Sequence, residues 1–266
     1  MRKLLNVLYV TSPEAYLAKD GENVLVIVGE ETKLRIPIHN LEGIVCFGYT
    51  GASPALMHLC TERNVGLSFH SESGRFLARV TGRVSGNVLL RRKQYRIADN
   101  SEESLQLAKG FIFGKIYNSR CVLQRFLRDH GEKGEFRDVQ EGVKFLSLQL
   151  QKVVNCRNVD ILRGLEGEAA RTYYGVFGNL ILEGKEDFIF NGRSRRPPLD
   201  PTNALLSFLY TLLSHDCTSA LETVGLDPQV GFLHRERPGR PSLALDLMEE
   251  LRPYLVDRLT LSLINN

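Results

Sequence analysis

Three polar side chains stand where the surrounding pattern asks for apolar ones. They are Glu166 in Arg163-Gly164-Leu165-Glu166-Gly167-Glu168-Ala169-Ala170, His234 at the end of Gly231-Phe232-Leu233-His234, and Glu249 in Leu245-Asp246-Leu247-Met248-Glu249-Glu250. A donor set of carboxylate oxygens and an imidazole nitrogen suits Mg2+ or Mn2+, ions that keep positions open for water and a phosphate oxygen. Zinc is less attractive, because the five cysteines (Cys46, Cys60, Cys121, Cys156, Cys217) form no CxxC pair and none is near His234 in sequence. Asp246 and Glu249 are three residues apart, so on a helix they share a face and can reach one ion together, while Glu250 points elsewhere. Spacing leaves a plainer alternative open: Asp246 and Glu249 form a solvated helix face, and Glu166 pairs with Arg163 one turn earlier.

The elements that would position these groups change character along the chain. Residues 4–10, 23–28, 33–38, 43–47, 66–70 and 76–80 are short, rich in Val, Ile, Leu and Phe, and divided by turn signals, so they read as strands. Asp20-Gly21 and residues 71–74 read as hairpin turns. A helix over residues 53–63 interrupts them, with Ser53 as cap and Pro54 in the first turn. After Gly86 the period turns helical, with candidate helices over 87–97, 101–129, 136–154, 159–182, 202–215, 218–224 and 242–264, and Ser101 and Thr202 as caps. Residues 183–201 carry Gly184, Gly192, Pro197, Pro198 and Pro201 and read as a loop. Strands followed by helices predict an α+β chain: a small β-rich, β-sandwich-like domain over 1–85 and a larger all-α domain over 86–266.

Arginines cluster in three places suited to polyanions. Arg91, Arg92 and Arg96 surround Tyr95, a combination fit for phosphate contact and stacking. Arg193, Arg195 and Arg196 occupy the Gly/Pro-rich loop, and Arg235, Arg237 and Arg240 directly follow His234. Arg163 joins the candidate DNA-contacting set. For the first cluster a solvated helix face is an equally good account. Tyr173, Tyr174 and Tyr210 invite a covalent-tyrosine reading, but Tyr173 and Tyr174 lie in an apolar helical run where packing is the ordinary role; Tyr210 could approach the site.

These segments resemble the CRISPR-associated spacer-integrase family, the first-numbered Cas protein. The resemblance runs in order through Gly86-Asn87-Val88-Leu89-Leu90-Arg91-Arg92-Lys93-Gln94-Tyr95-Arg96, the glutamate motif at 164–170, Arg195-Arg196-Pro197-Pro198-Leu199-Asp200-Pro201-Thr202-Asn203, Gly231-Phe232-Leu233-His234 and residues 245–253. It implies that Glu166, His234 and Glu249 ligate Mg2+ or Mn2+, with Asp246 ligating too or acting from behind. It also implies a homodimer that joins a small companion, the second-numbered Cas protein, and inserts foreign DNA fragments at a CRISPR repeat. Glu249 departs from relatives that carry Asp there, and a rotamer change can absorb the extra methylene. The family continues with helical sequence past the point where this chain ends, which points to a truncated or incomplete sequence. A generic metal-dependent phosphohydrolase and a non-catalytic DNA-binding scaffold are the alternatives.

With 266 residues, 43% of them hydrophobic, the chain can bury a substantial core. No run reaches the ~18 to 20 apolar residues of a membrane span, and an odd number of scattered cysteines suits a reducing cytoplasm. A net charge of +3 is too mild to announce nucleic acid, but it is unevenly spread. Residues 1–97 carry 13 Lys and Arg against 8 Asp and Glu, whereas 98–266 carry 21 against 23, so the candidate ligands lie in the more acidic part.

Overall fold

A computed structural model describes residues 6–82 and 87–266. The start of the first expected strand, residues 4–5, the Gly86 that opens the first family-like segment, and the expected domain boundary at 85/86 lie outside the described residues. The chain divides into two compact units, Met1–Ser85 and Gly86–Asn266. β-Strands make up the first and helices the second, as the change of period predicts.

Among the described residues the first unit holds eight strands, β1 (Val7–Val10), β2 (Ala15–Asp20), β3 (Asn23–Val28), β4 (Glu31–Pro37), β5 (Gly43–Phe47), β6 (Gly51–Ala52), β7 (Gly66–His70) and β8 (Phe76–Val80). They form two four-stranded sheets, β1-β5-β7-β8 and β4-β3-β2-β6. Helix α1 (Pro54–Glu62) is capped by Ser53, whose hydroxyl accepts from Leu56 N, and buries Leu56, Leu59 and Cys60. Both expected hairpins are present: Asp20 pairs with Asn23 around Gly21, and β7 returns as β8 through residues 71–75. Strands β2 and β6 carry no expectation of their own from the sequence. The pairings of β1 with β5 and of β5 with β7 are parallel, so short alternating strands here build mixed sheets. Strand β3 is hydrogen-bonded on both sides, so the apolar run Val24–Val28 offers no free edge; β4 is an edge strand carrying Glu31, Lys33 and Arg35.

The second unit contains α2 (Val88–Asp99), α3 (Ser101–His130), α4 (Arg137–Asn155), α5 (Val159–Phe177), α6 (Pro201–Thr223), α7 (Ser242–Leu251) and α8 (Arg258–Ile264). Helix α3, about 45 Å long at 1.5 Å per residue, contacts α4, α5 and α7. Its Ile112, Ile116 and Leu123 share a core with Leu146, Leu162, Phe177, Leu206 and Met248. The caps differ from expectation. Asn100, not Ser101, accepts from Glu102 N and Glu103 N, and Asp200, not Thr202, accepts from Asn203 N. Thr202 lies inside the first turn, after Pro201, and its hydroxyl donates to Phe188 O, whereas a cap must stand just outside that turn. The expected break near residues 216–217 is absent, because neither Asp216 nor Cys217 is a strong helix breaker.

Between α7 and α8, residues Arg252–Asp257 form a π-helical segment. Pro253 has no N–H to give to the carbonyl of Glu249, so the regular ladder cannot pass through that position. The next carbonyl, that of Glu250, accepts from the side-chain amide of Asn118 on α3 at 2.7 Å. The local widening therefore falls beside a candidate site residue.

Candidate metal-binding cleft

His234 lies on the irregular stretch between α6 and α7, and side chains from four helices pin that stretch. Gln94 of α2, only 3% exposed, donates to Asp227 O at 2.7 Å and Val230 O at 2.8 Å and accepts from Asp227 N. Ser104 of α3 donates to Phe232 O, and Arg163 of α5 sends Nε and Nη2 to Leu233 O. The fourth support is Asp246 of α7, whose carboxylate is fully buried. Its Oδ2 accepts from Phe232 N (2.6 Å) and Leu233 N (2.9 Å), and its Oδ1 from His234 N (3.0 Å) and His234 Nδ1 (2.6 Å). An ionised carboxylate only accepts, so Nδ1 is the donor here, and in the neutral ring Nε2 is the nitrogen left to present its lone pair. Asp246 thus acts from behind the imidazole, and all four of its acceptor directions are in use.

Nε2 of His234 lies 3.9 Å from Glu249 Oε1. Helices α3 and α7 come together beside this point: a Cβ on Gly114 would stand 2.8 Å from Glu250 Cβ, so only glycine permits the approach. The next residue of α3, Lys115, then reaches both glutamates. Its ammonium pairs with Glu166 Oε1 and lies 2.5 Å from Glu249 Oε2. The latter oxygen is buried, and the lysine ammonium is the cation that faces it. Arg252 adds a contact at 3.4 Å to Glu249 Oε1. Burial alone would push the Glu249 carboxyl up; Lys115 and then Arg252 outweigh it and hold it at about 2.

Glu166, His234 and Glu249 face a cleft of about 410 Å3 that is also lined by Arg163, Arg235, Arg237 and Arg240. Two carboxylates and an accepting imidazole nitrogen on one cleft, with a cation already held between the carboxylates, fit a divalent ion. As the side chains stand, no three such donors among the described residues surround a single point, because the Lys115 ammonium lies between two of them. Asp246 and Glu249 are both buried, so they are not a solvated helix face. Nor does Glu166 pair with Arg163: the guanidinium is taken by Leu233 O and by Asp160, at 2.7 Å, so Arg163 positions the His234 loop and is not an open phosphate clamp.

The other arginine clusters stand elsewhere in the fold. Arg92 and Arg96 are exposed on α2, but Arg91 donates to Gly225 O, and Tyr95, expected to stack, gives its hydroxyl to Asp227 at 2.8 Å. Arg195 and Arg196 are exposed, whereas Arg193 turns inward to Asn203 Oδ1 (2.7 Å) and Ser207 Oγ (3.1 Å) and lies over the Tyr210 ring. Its donors tie down the loop, which removes it from the phosphate-contacting set. Tyr210 is buried, its hydroxyl bonded to Tyr174 and Asp257, and it does not line the cleft; Arg252, which lies over its ring, contacts Glu249.

Sequence reading missed Lys115, Arg252 and Asp257. A signal for each existed. Lys115 sits on the apolar stripe of α3 with Ala108, Ile112, Ile116 and Ser119, and Arg252 and Asp257 continue the buried row Glu249, Arg252, Pro253, Val256, Asp257, Thr260 at helical spacing. An ionisable residue on a core-facing stripe demands a partner.

A family model described as CRISPR associated protein Cas1 matches residues 8–266. A CRISPR-associated endonuclease Cas1 of Rhodospirillum rubrum is 55% identical over all of this chain and 77% of its own length. Among solved structures, a casposase bound to integration product aligns with 98% of this chain and 73% of its own, at 26% identity and a TM-score of 0.78. A chain of a Cas6-RT-Cas1–Cas2 complex aligns with all of this chain and 28% of its own, at 25% identity and a TM-score of 0.77. Together with the order of the motifs, these likenesses establish that the chain belongs to the Cas1 family of CRISPR-associated proteins.

Proposed function

We propose that this CRISPR-associated nuclease cuts and joins DNA at the cleft of Glu166, His234 and Glu249, with Mg2+ or Mn2+ held by those three side chains, and so inserts foreign fragments into a CRISPR array. The observation that carries the reading is the convergence of a glutamate from α5, a glutamate from α7 and an imidazole from the pinned loop on one arginine-lined cleft. A bound divalent ion supplies charge stabilisation at the phosphoryl oxygen and at the attacking and leaving oxygens. The chain's own groups do the rest. Asp246 keeps the proton of His234 on Nδ1 and aims Nε2 into the cleft. Arg235 and Arg237 are exposed at the rim, where cations counter the repulsion between an acidic centre and a polyanion. The nucleophile is the 3′-hydroxyl of an incoming fragment in strand transfer and water in nicking; in either case one P–O bond forms as another breaks.

The named relatives support this reading, the casposase through an integration product and the complex through a partner called Cas2. A homodimer that joins a small companion of that kind and acts in the cytoplasm belongs to the same proposal. No helix among the described residues is long and apolar enough to cross a membrane. Glu166→Ala, His234→Ala and Glu249→Ala should each abolish nicking and strand transfer on branched DNA in Mn2+ buffer with the helical signal unchanged, and Glu249→Asp should retain part of the rate. Wild-type rates from Glu166→Ala at equal DNA binding would refute the assignment. Faster turnover of a small nucleotide phosphate than of branched DNA would favour a general phosphohydrolase.

A further inference from the structure

We propose that Lys115 is a displaceable cation of this site: its ammonium holds Glu166 and Glu249 together in the metal-free protein and must be driven out when a divalent ion enters. The inference rests on the metal reading above and concerns a residue that is not one of the ligands assigned there. Three observations carry it. The ammonium bridges one oxygen of each glutamate, the same two side chains assigned to the metal. Lys115 and Glu249 are both buried, their side chains 9% and 6% exposed, so without the lysine this interior carboxylate would keep only the longer contact with Arg252 at 3.4 Å. Finally, the lysine also lines a hollow of about 10 Å3 whose walls include Ser119, Tyr173, Tyr174, Arg252 and Asp257.

That hollow is about the size of one water and therefore of one ammonium group. Oδ2 of Asp257 beside it is buried and lacks a well-aligned hydrogen bond. The lysine chain is long and its ammonium is a compact point charge, so it can turn from the glutamates toward Asp257 without loss of a counter-charge. The exchange has two consequences. Lys115 keeps the metal-free fold intact, and it weakens metal binding, because each ion must displace a paired ammonium.

The test is Mn2+ binding to the full chain by isothermal titration calorimetry, with thermal unfolding in EDTA and in Mn2+. Lys115→Met should bind Mn2+ ~10- to 100-fold more tightly than wild type, the range over which neighbours of a site alter its affinity. In EDTA its melting temperature should fall by roughly 10 °C, and Mn2+ should restore most of that loss. Lys115→Gln, which keeps polarity without charge, repeats the affinity test should the methionine variant fail to fold. In the wild type, Mg2+ should shift the Lys115 Cε resonance. Equal or weaker Mn2+ affinity in a folded Lys115 variant, or an unmoved Cε resonance at saturating Mg2+, overturns the proposal, provided His234→Ala abolishes binding. If His234→Ala binds Mn2+ as wild type does, the metal assignment itself fails and this inference falls with it.

Discussion

Asp246→Asn isolates the part of the site that metal chemistry does not touch directly. The carboxylate accepts four hydrogen bonds within 3.0 Å, two on each oxygen, from Phe232 N, Leu233 N, His234 N and His234 Nδ1. An asparagine fills nearly the same volume but keeps a single acceptor oxygen, and its NH2 turns two donors toward two donors. Whichever way the amide lies, two charge-assisted bonds are lost at about 1.5–3 kcal/mol each, and their buried donors are left without partners. The expected cost is therefore about 3–6 kcal/mol, read from urea unfolding at neutral pH. If the amide retains the backbone bonds on its oxygen, the imidazole loses its anchor and the Nδ1 proton is no longer favoured. Nicking should then fall steeply while DNA binding, carried by the rim arginines, changes little. A loss below 1 kcal/mol with wild-type nicking would refute the claim that Asp246 holds both loop and ring.

Gly231→Ala should destabilise the chain by about 1–3 kcal/mol in the same unfolding assay, as overpacking does, because a Cβ there would stand 2.8 Å from Asp246 Oδ2 and from the carbonyl carbon of Ser242; an effect under 0.5 kcal/mol would show that the loop can move. Burial holds the Asp257 carboxyl at about 6, above its ordinary 3.8, so the folded state binds this proton more tightly than the unfolded state does. Stability from this group is present below 3.8 and lost as pH rises toward 6, by about 3 kcal/mol; Asp257→Asn should flatten that window, and an unchanged pH profile would count against it. Glu249, held at about 2, acts in the opposite sense, its contribution present above the ordinary carboxylate range and lost as pH falls toward 2. Arg235→Ala should lower the salt dependence of duplex binding by a log–log slope of roughly 0.9, whereas Arg193→Ala should leave that slope unchanged and destabilise the fold, since Ser207 loses its guanidinium donor and Asn203 Oδ1 keeps only Ser194 N; the reverse pattern would exchange their roles. Residues 1–82 should elute as a dimer without DNA, through an edge such as β1; a monomer at high micromolar concentration would move the interface to the helical unit.

The periodicities carried most of the secondary structure. Runs of Val, Ile, Leu and Phe bounded by glycine and Asp-Gly marked β3, β5, β7 and β8 at their observed limits, and the turn to a helical period after Gly86 marked the second unit, because strand and helix impose different spacings on a buried face. Sheet order was not readable. The parallel pairing of β1, β5 and β7 joins residues far apart in sequence, and no local pattern records which strands become neighbours. The same division runs through the candidate site. Residue types and spacing singled out Glu166, His234, Asp246 and Glu249, since a polar group on an apolar stripe stands out wherever it occurs. Which of them meet, and through what, depends on the close passage of α3 past α7 at Gly114 and on a loop held from four helices. Sequence alone determined that carboxylates and an imidazole lay on core-facing positions of a helical unit. Only the tertiary structure decided that Asp246 stands behind His234, that Arg163 and Arg193 spend their guanidiniums on backbone and side-chain acceptors, and that the cation nearest Glu249 is Lys115. A long side chain finds its partner by proximity in space, and one-dimensional spacing constrains that proximity only within a single helix or strand.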